Sequence, residues 1–255
     1  MFNLQDGLLH YLTNNLLSAE WQFYLLNIGF ILFGCIAAYL LGSVNTAIVV
    51  SRIFYGDDVR THGSGNAGLT NMLRTYGKKA AGLTLLGDML KTAIAIFIMG
   101  TLMGFHYVKG ISYHDGYCYV AGLFAVLGHV FPVYYGFKGG KGVLVTATTA
   151  LILTPIPFLI LLAIFVLVVY LSRYVSLGSV IVAVLYPVVL NGYINLLGAK
   201  SPGLISLCTI ILAIFIVWCH RENLARISNR TERKISFKKK EVNDKESTKN
   251  GSDEG

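Results

Sequence analysis

Charge is scarce in this chain. Only 13% of its 255 residues are Asp, Glu, Lys or Arg, and 55% are hydrophobic. Soluble domains carry about 25% charged residues, and a chain this apolar would expose large patches to water. The composition excludes an ordinary soluble domain and makes the bilayer the better solvent. Patterned cysteines are missing as well. Cys35, Cys118, Cys208 and Cys219 are scattered and read as buried filler rather than a redox or metal motif. No His, Asp or Glu cluster has ligand spacing, so no metal or other cofactor is expected. Residues 1–23 hold no Lys or Arg, so the basic n-region of a cleavable signal peptide is lacking. No internal repeat is visible, which weighs against transporters built from inverted repeats.

What the chain does have is apolar length. Apolar stretches lie at about 24–50, 80–104, 117–136, 143–171, 174–197 and 203–219, against a requirement of about 20 residues per span. The fourth is too long for one span and contains Thr154-Pro155-Ile156-Pro157. Each proline removes an N–H and clashes with the preceding turn, so this stretch splits into two helices. The expectation is an all-α polytopic membrane protein with seven transmembrane helices. Charge supports that count. With the N-terminus outside, 18 of the 21 Lys and Arg fall on the inner side, the outer side holds Lys109 and Lys200, and Lys91 lies within a helix. That is a strong positive-inside pattern, and it puts the C-terminus in the cytoplasm. The expected organisation is an N-terminal extracytoplasmic extension over 1–23, a seven-helix domain over 24–235, and a disordered charged tail over 236–255. Lys238–Lys240 in that tail fall short of the usual basic cluster for lipid headgroups.

Four constellations gather on the inner side. The first reads His62-Gly-Ser-Gly-Asn-Ala-Gly-Leu-Thr-Asn71, then Arg74. Gly63, Gly65 and Gly68 satisfy GxGxxG literally, but no strand precedes them and no βαβ unit surrounds them, so a dinucleotide site is rejected. Glycine-rich backbone, Ser64, Asn66, Thr70 and Asn71, and a following helix N-terminus still suit an anion. The second reads Gly136-Phe-Lys-Gly-Gly-Lys-Gly142. It is not a Walker loop, since no Ser or Thr follows Lys141, yet Lys138, Gly139, Gly140 and Lys141 suit a phosphate. In the third, Ser176 and Ser179 stand at a helix start, as caps or as ligand donors. In the fourth, His220-Arg-Glu-Asn223, His220 is a base, an anion donor or an end-cap. Asp88 and Lys91, three apart inside an apolar stretch, share a helix face and are either functional or a structural pair.

Together, and in this order, these segments resemble the bacterial acyl-phosphate:glycerol-3-phosphate acyltransferases. The resemblance runs from about Leu41 to Lys234 and includes Gly42-Ser43-Val44-Asn45, His62–Arg74, Asp88–Lys91, Leu127–Gly142, Arg173–Ser179 and His220–Asn223. Leu69, Thr92 and Leu144-Val145 depart from the family's usual residues. The resemblance implies an inner-membrane enzyme whose site faces the cytoplasm. It implies acyl phosphate and glycerol 3-phosphate as substrates, membrane lipid as surroundings, and transient contact with the soluble enzyme that makes acyl phosphate; nucleic acid is not a partner. It places Ser64 in the active-site glycine loop and sets Arg74 and Lys141 on substrate phosphate. It closes Gly139-Gly140 around glycerol 3-phosphate, and completes the site with Ser179, His220 and Asn223. Glu222 looks structural. The rival reading is an organic-phosphate transporter or anion channel, which would line both sides of a path with charge; here the outer side holds only Lys109 and Lys200.

Overall fold

The computed structural model of the chain describes residues 7–16, 20–104, 107–108, 111–112, 115–198 and 203–235. The expected charged tail over 236–255 lies outside the described residues. The chain is helical: α1 (Gly7–Leu16), α2 (Glu20–Ser43), α3 (Thr46–Tyr55), α4 (Leu69–Thr75), α5 (Gly77–Met103), α6 (Asp115–Val130), α7 (Val143–Leu153), α8 (Pro155–Ser172), α9 (Val175–Leu196), α10 (Gly203–Cys219) and α11 (Arg221–Ser228). Between α5 and α6, β1 (Tyr107–Val108) and β2 (Ile111–Ser112) form a two-stranded antiparallel turn.

Among the described residues five helices are long and apolar enough to cross a membrane, and α10 with α11 makes a sixth if that pair, bent by 53°, is one span. The break between α7 and α8 falls at Thr154, and Pro155 takes the first position of α8. There its missing N–H costs nothing, because the first turn has no partner for it. At 11 residues α7 reaches only about 16 Å, about half of a hydrocarbon core. A second break was not expected. The apolar stretch at 24–50 is not one helix: it stops at Ser43, and Asn45 caps α3 by accepting from the Ile48 N–H at 3.2 Å. Within the N-terminal stretch read as an extension, α1 packs on α2 and α5, and α2 begins at Glu20.

The core forms where α2, α5 and α6 pack together with α9 and α10. Lipid supplies no hydrophobic force between helices, so close backbone approach replaces it. Gly128 shows how close: a Cβ there would lie 2.1 Å from the Tyr39 carbonyl oxygen of α2. Leu32, Leu86, Leu90, Val166 and Val188 stay exposed on the bundle exterior, as expected for lipid-facing positions. The loops after α3 and α6, the start of α9 and the end of α10 meet at one end of the bundle, and they enclose a large cavity.

Candidate active site

The first glycine loop is folded around one side chain. Asn71, buried on α4, donates from Nδ2 to the carbonyls of Val59 (3.1 Å) and His62 (3.0 Å), and its Oδ1 accepts from the Ser64 N–H at 3.0 Å. Its amide holds the loop together while Asn71 itself still lines the cavity. Asn45 Nδ2 donates to the Ala67 carbonyl at 3.3 Å. Arg60 grips Asp58 through Nε (2.9 Å) and one terminal nitrogen (2.8 Å), and donates from the other to the carbonyls of Tyr135 (2.8 Å) and Lys138 (3.0 Å). One guanidinium thus clamps the first loop to the second. Ser64, Asn66, Thr70 and Arg74 line the cavity beside Asn71.

In the second loop the glycines have a different task from the one expected. The N–H of Gly139 donates to Val130 and that of Gly140 to His129, both at 3.1 Å, so neither amide points at an anion. A Cβ on Gly140 would sit 2.1 Å from His129 Nε2 and 2.7 Å from the Ala67 carbonyl oxygen. These glycines let the loop lie against α6 and the first loop, which delivers Lys141 to the cavity. Lys138 and Gly139 line a separate, shallower cleft with Asp58, Arg60, Thr61, Gly65 and Tyr135.

The cavity holds about 700 Å³, within the range for small-molecule sites. Its mouth is polar and cationic: Ser64, Arg74, Lys141, Ser176, Ser179, His220, Asn223 and Arg226. The rest of its wall is largely apolar, with Leu151, Phe158, Leu161, Phe165, Val182, Ala183 and Ile216. Lys141 Nζ donates to Asn223 Oδ1. Asn223 Nδ2 donates to Glu232 Oε1 at 2.7 Å, Ser176 Oγ donates to the same oxygen at 2.8 Å, and Arg226 Nε donates to Glu232 Oε2 at 2.8 Å. Ser179 Oγ instead returns to the Val175 carbonyl in its own helix, at 3.0 Å. Neither serine caps α9, where no side chain bonds the first turn.

Burial, and then Arg226 nearby, push Lys141 below the ordinary lysine value. Burial and Arg233 do the same to Arg74. Burial pulls Glu232 the other way, but hydrogen bonds from Asn223, Arg226 and Ser176 outweigh it and hold the carboxyl below its usual value. His220 Nδ1 lies 2.8 Å from the Ile216 carbonyl. A carbonyl only accepts, so Nδ1 carries the proton, and Nε2 is the acceptor of a neutral ring.

A buried charged cluster adjoins the cavity. Lys91 Nζ meets Asp88 Oδ1 at 2.7 Å and His129 Nδ1 at 3.0 Å, and donates to the carbonyls of Gly42 (3.1 Å) and Val44 (2.9 Å). Lys91 therefore closes the broken end of α2, where carbonyls lack helical partners. Asp88 and His129 line the cavity. Glu222, by contrast, is 72% exposed and stands 4.0 Å from both Arg221 and Arg226. Among the described residues no group of three His, Cys, Asp or Glu could hold a metal ion.

A family model for glycerol-3-phosphate acyltransferases matches residues 32–230. The chain belongs to that family. Relatives include "Glycerol-3-phosphate acyltransferase 2" of a Bacillus cereus strain, 39% identical over 206 residues, which span 81% of this chain and 96% of the relative. The glycerol-3-phosphate acyltransferase of Bacillus subtilis strain 168 is 37% identical over 202 residues, 79% of this chain and 96% of the relative. Among solved structures, the glycerol 3-phosphate form of PlsY (YgiH), an integral membrane glycerol 3-phosphate acyltransferase, superposes with a TM-score of 0.69 at 32% identity. The match covers 81% of this chain and 96% of that one. The lysophosphatidic acid form gives 0.67 at 30% identity, over 81% and 95%. The chain is thus a membrane acyltransferase of this family. Sequence reasoning passed over two members of the mouth, Arg226 and Glu232. A signal was present: Glu232 is the one acid among Arg226, Arg230, Arg233 and Lys234.

Proposed function

We propose that this chain transfers a fatty acyl group from an acyl phosphate to the 1-hydroxyl of sn-glycerol 3-phosphate, releasing lysophosphatidic acid and inorganic phosphate. The observation that carries the reading is the two-part cavity wall, polar and cationic in one part and apolar in the other. One acceptor anion and one amphipathic donor fit it, and a solved relative holds glycerol 3-phosphate. Arg74 and Lys141 offset the repulsion of two phosphates and hold them in line. The acceptor hydroxyl oxygen attacks the acyl carbonyl, and the bond from that carbon to the phosphate oxygen breaks. Because phosphate is a good leaving group, no covalent enzyme intermediate is needed. Fixed donors at the mouth, Ser64 and Lys141 among them, stabilise the oxyanion. The hydroxyl proton passes to His220 Nε2 or to a substrate phosphate oxygen.

We place the chain's membrane helices at seven by counting the bent α10–α11 pair as one crossing and α7 as a short membrane helix packed among α5, α6 and α8, and we set the site on the cytoplasmic side of the inner membrane. The positive-inside pattern supports that orientation, as does the gathering of Arg74, Lys141, Arg173 and Arg233 at one end of the bundle. Donor competition tests the chemistry. Purified protein in detergent receives labelled glycerol 3-phosphate with acyl phosphate, acyl-CoA or acyl carrier protein in parallel. The reading expects lysophosphatidic acid from acyl phosphate. Product from acyl-CoA or acyl carrier protein alone overturns the donor; no product from any of them overturns the reaction.

A further inference from the structure

We infer that Glu232, on the segment that follows α11, is a positioning residue whose negative charge holds Asn223 in one orientation and keeps Lys141 cationic at the mouth. The family model ends at residue 230, two residues before it.

The segment is tied down at both ends. The N–H groups of Thr231 and Glu232 donate to the Arg226 carbonyl, and the Ile235 N–H donates to the Arg173 carbonyl at 2.9 Å. Between these ties the chain crosses the mouth, and the Glu232 side chain is only 9% exposed. Its carboxylate accepts from Asn223, Ser176 and Arg226. The Asn223 amide is caught between two groups that fix its sense. Lys141 can only donate and an ionised carboxylate can only accept, so Oδ1 must face Lys141 and Nδ2 must face Glu232. Reversing the amide would set donor against donor and acceptor against acceptor. The charges around Lys141 come from several elements: Arg226 and Glu222 on α11, Cys219 and His220 at the end of α10, and Glu232 on the crossing segment. Of these, Glu232 does most to counter the burial and the Arg226 charge that disfavour an ammonium there.

Glu232→Gln tests the idea, because it keeps the size and removes the charge. An amide at 232 must also turn its NH₂ toward one of the three donors. The inference rests on the acyltransferase reading for its kinetic arm only. The primary measurement therefore needs no turnover: the pH dependence of Lys141 labelling by an amine reagent, followed by peptide mass spectrometry on the full-length protein in detergent. The expected result is that the labelling midpoint of Lys141 moves to lower pH in Glu232→Gln and returns toward wild type in Glu232→Asp. In the kinetic arm, kcat/KM for glycerol 3-phosphate falls about tenfold or more, as losing a charge-assisted bond predicts. The alkaline limb of its pH profile also moves down. An unchanged labelling midpoint in a folded Glu232→Gln protein overturns the inference, even if its thermal stability drops, since a purely structural latch would lower stability without moving Lys141. If the wild type labels as expected but turns over no substrate, the failure belongs to the acyltransferase reading and not to this one.

Discussion

Lys141 shows how a side chain legible in the sequence acquires its chemistry from surroundings that are not. The residue stands out in a glycine-rich basic run, but its neighbours come from α11 and from the segment beyond it: the Asn223 that accepts its hydrogen bond is separated by 82 residues. Lys141→Ala should lower kcat/KM by about 10²–10³-fold, the range for removing one fixed donor to developing charge. Lys141→Arg should not restore it, because a planar fork does not replace a point charge. The pH dependence follows from burial. The account needs Lys141 protonated, and burial with Arg226 lowers its folded value, so activity should fall as pH rises through a point below the ordinary lysine range. A pH profile of kcat/KM checks this, and a limb at or above the ordinary value contradicts it. For His220, which the sequence left as base, donor or cap, the bond from Nδ1 to Ile216 leaves Nε2 as an acceptor. If that nitrogen takes the proton, His220→Ala should cost about 10²–10⁴-fold in kcat while calorimetry still detects glycerol 3-phosphate binding. Surviving turnover with only a raised KM assigns the residue to binding.

At the scale of elements, the sequence showed where helices stop more clearly than why loops contain glycine. Thr154-Pro155-Ile156-Pro157 marked a break because proline cannot continue a helix, and the break is there. The break at Asn45 carries no proline and is set by contacts from elsewhere: Lys91 on its open carbonyls and Ala67 on its side chain. Loop glycines likewise looked like an anion cradle, because glycine permits that geometry. In fact Gly139 and Gly140 are small to admit His129 and Ala67, a tertiary reason that no local pattern reveals. Gly140→Ala should therefore cost about 1–3 kcal/mol or more by overpacking, read as a lower midpoint of thermal unfolding in detergent. The buried pair gives a sharper test. Lys91→Ala strands Asp88 and should cost about 3–5 kcal/mol, whereas Asp88→Asn combined with Lys91→Met should cost much less. Equal losses in the single and double variants would mean that Lys91 acts through the end of α2 alone.

For the whole molecule, composition and the distribution of Lys and Arg were enough to place the chain in a bilayer and to bring its polar loops to one side. They could not show that these loops and the end of α10 close over one cavity of about 700 Å³, because that depends on crossings such as α2 against α6. The orientation has its own check. In a background without Cys35, Cys118, Cys208 and Cys219, Lys79→Cys on the exposed start of α5 should resist an impermeant maleimide in intact cells and react in inverted vesicles; the reverse would put the site outside. The central claim is that one cavity joins an acyl phosphate to glycerol 3-phosphate. Its most direct test is stoichiometry in proteoliposomes, with phosphate release and labelled lysophosphatidic acid followed together. The account predicts that the two appear in equal amounts and that both require glycerol 3-phosphate. Phosphate released without lysophosphatidic acid, or lysophosphatidic acid formed without phosphate, would contradict it.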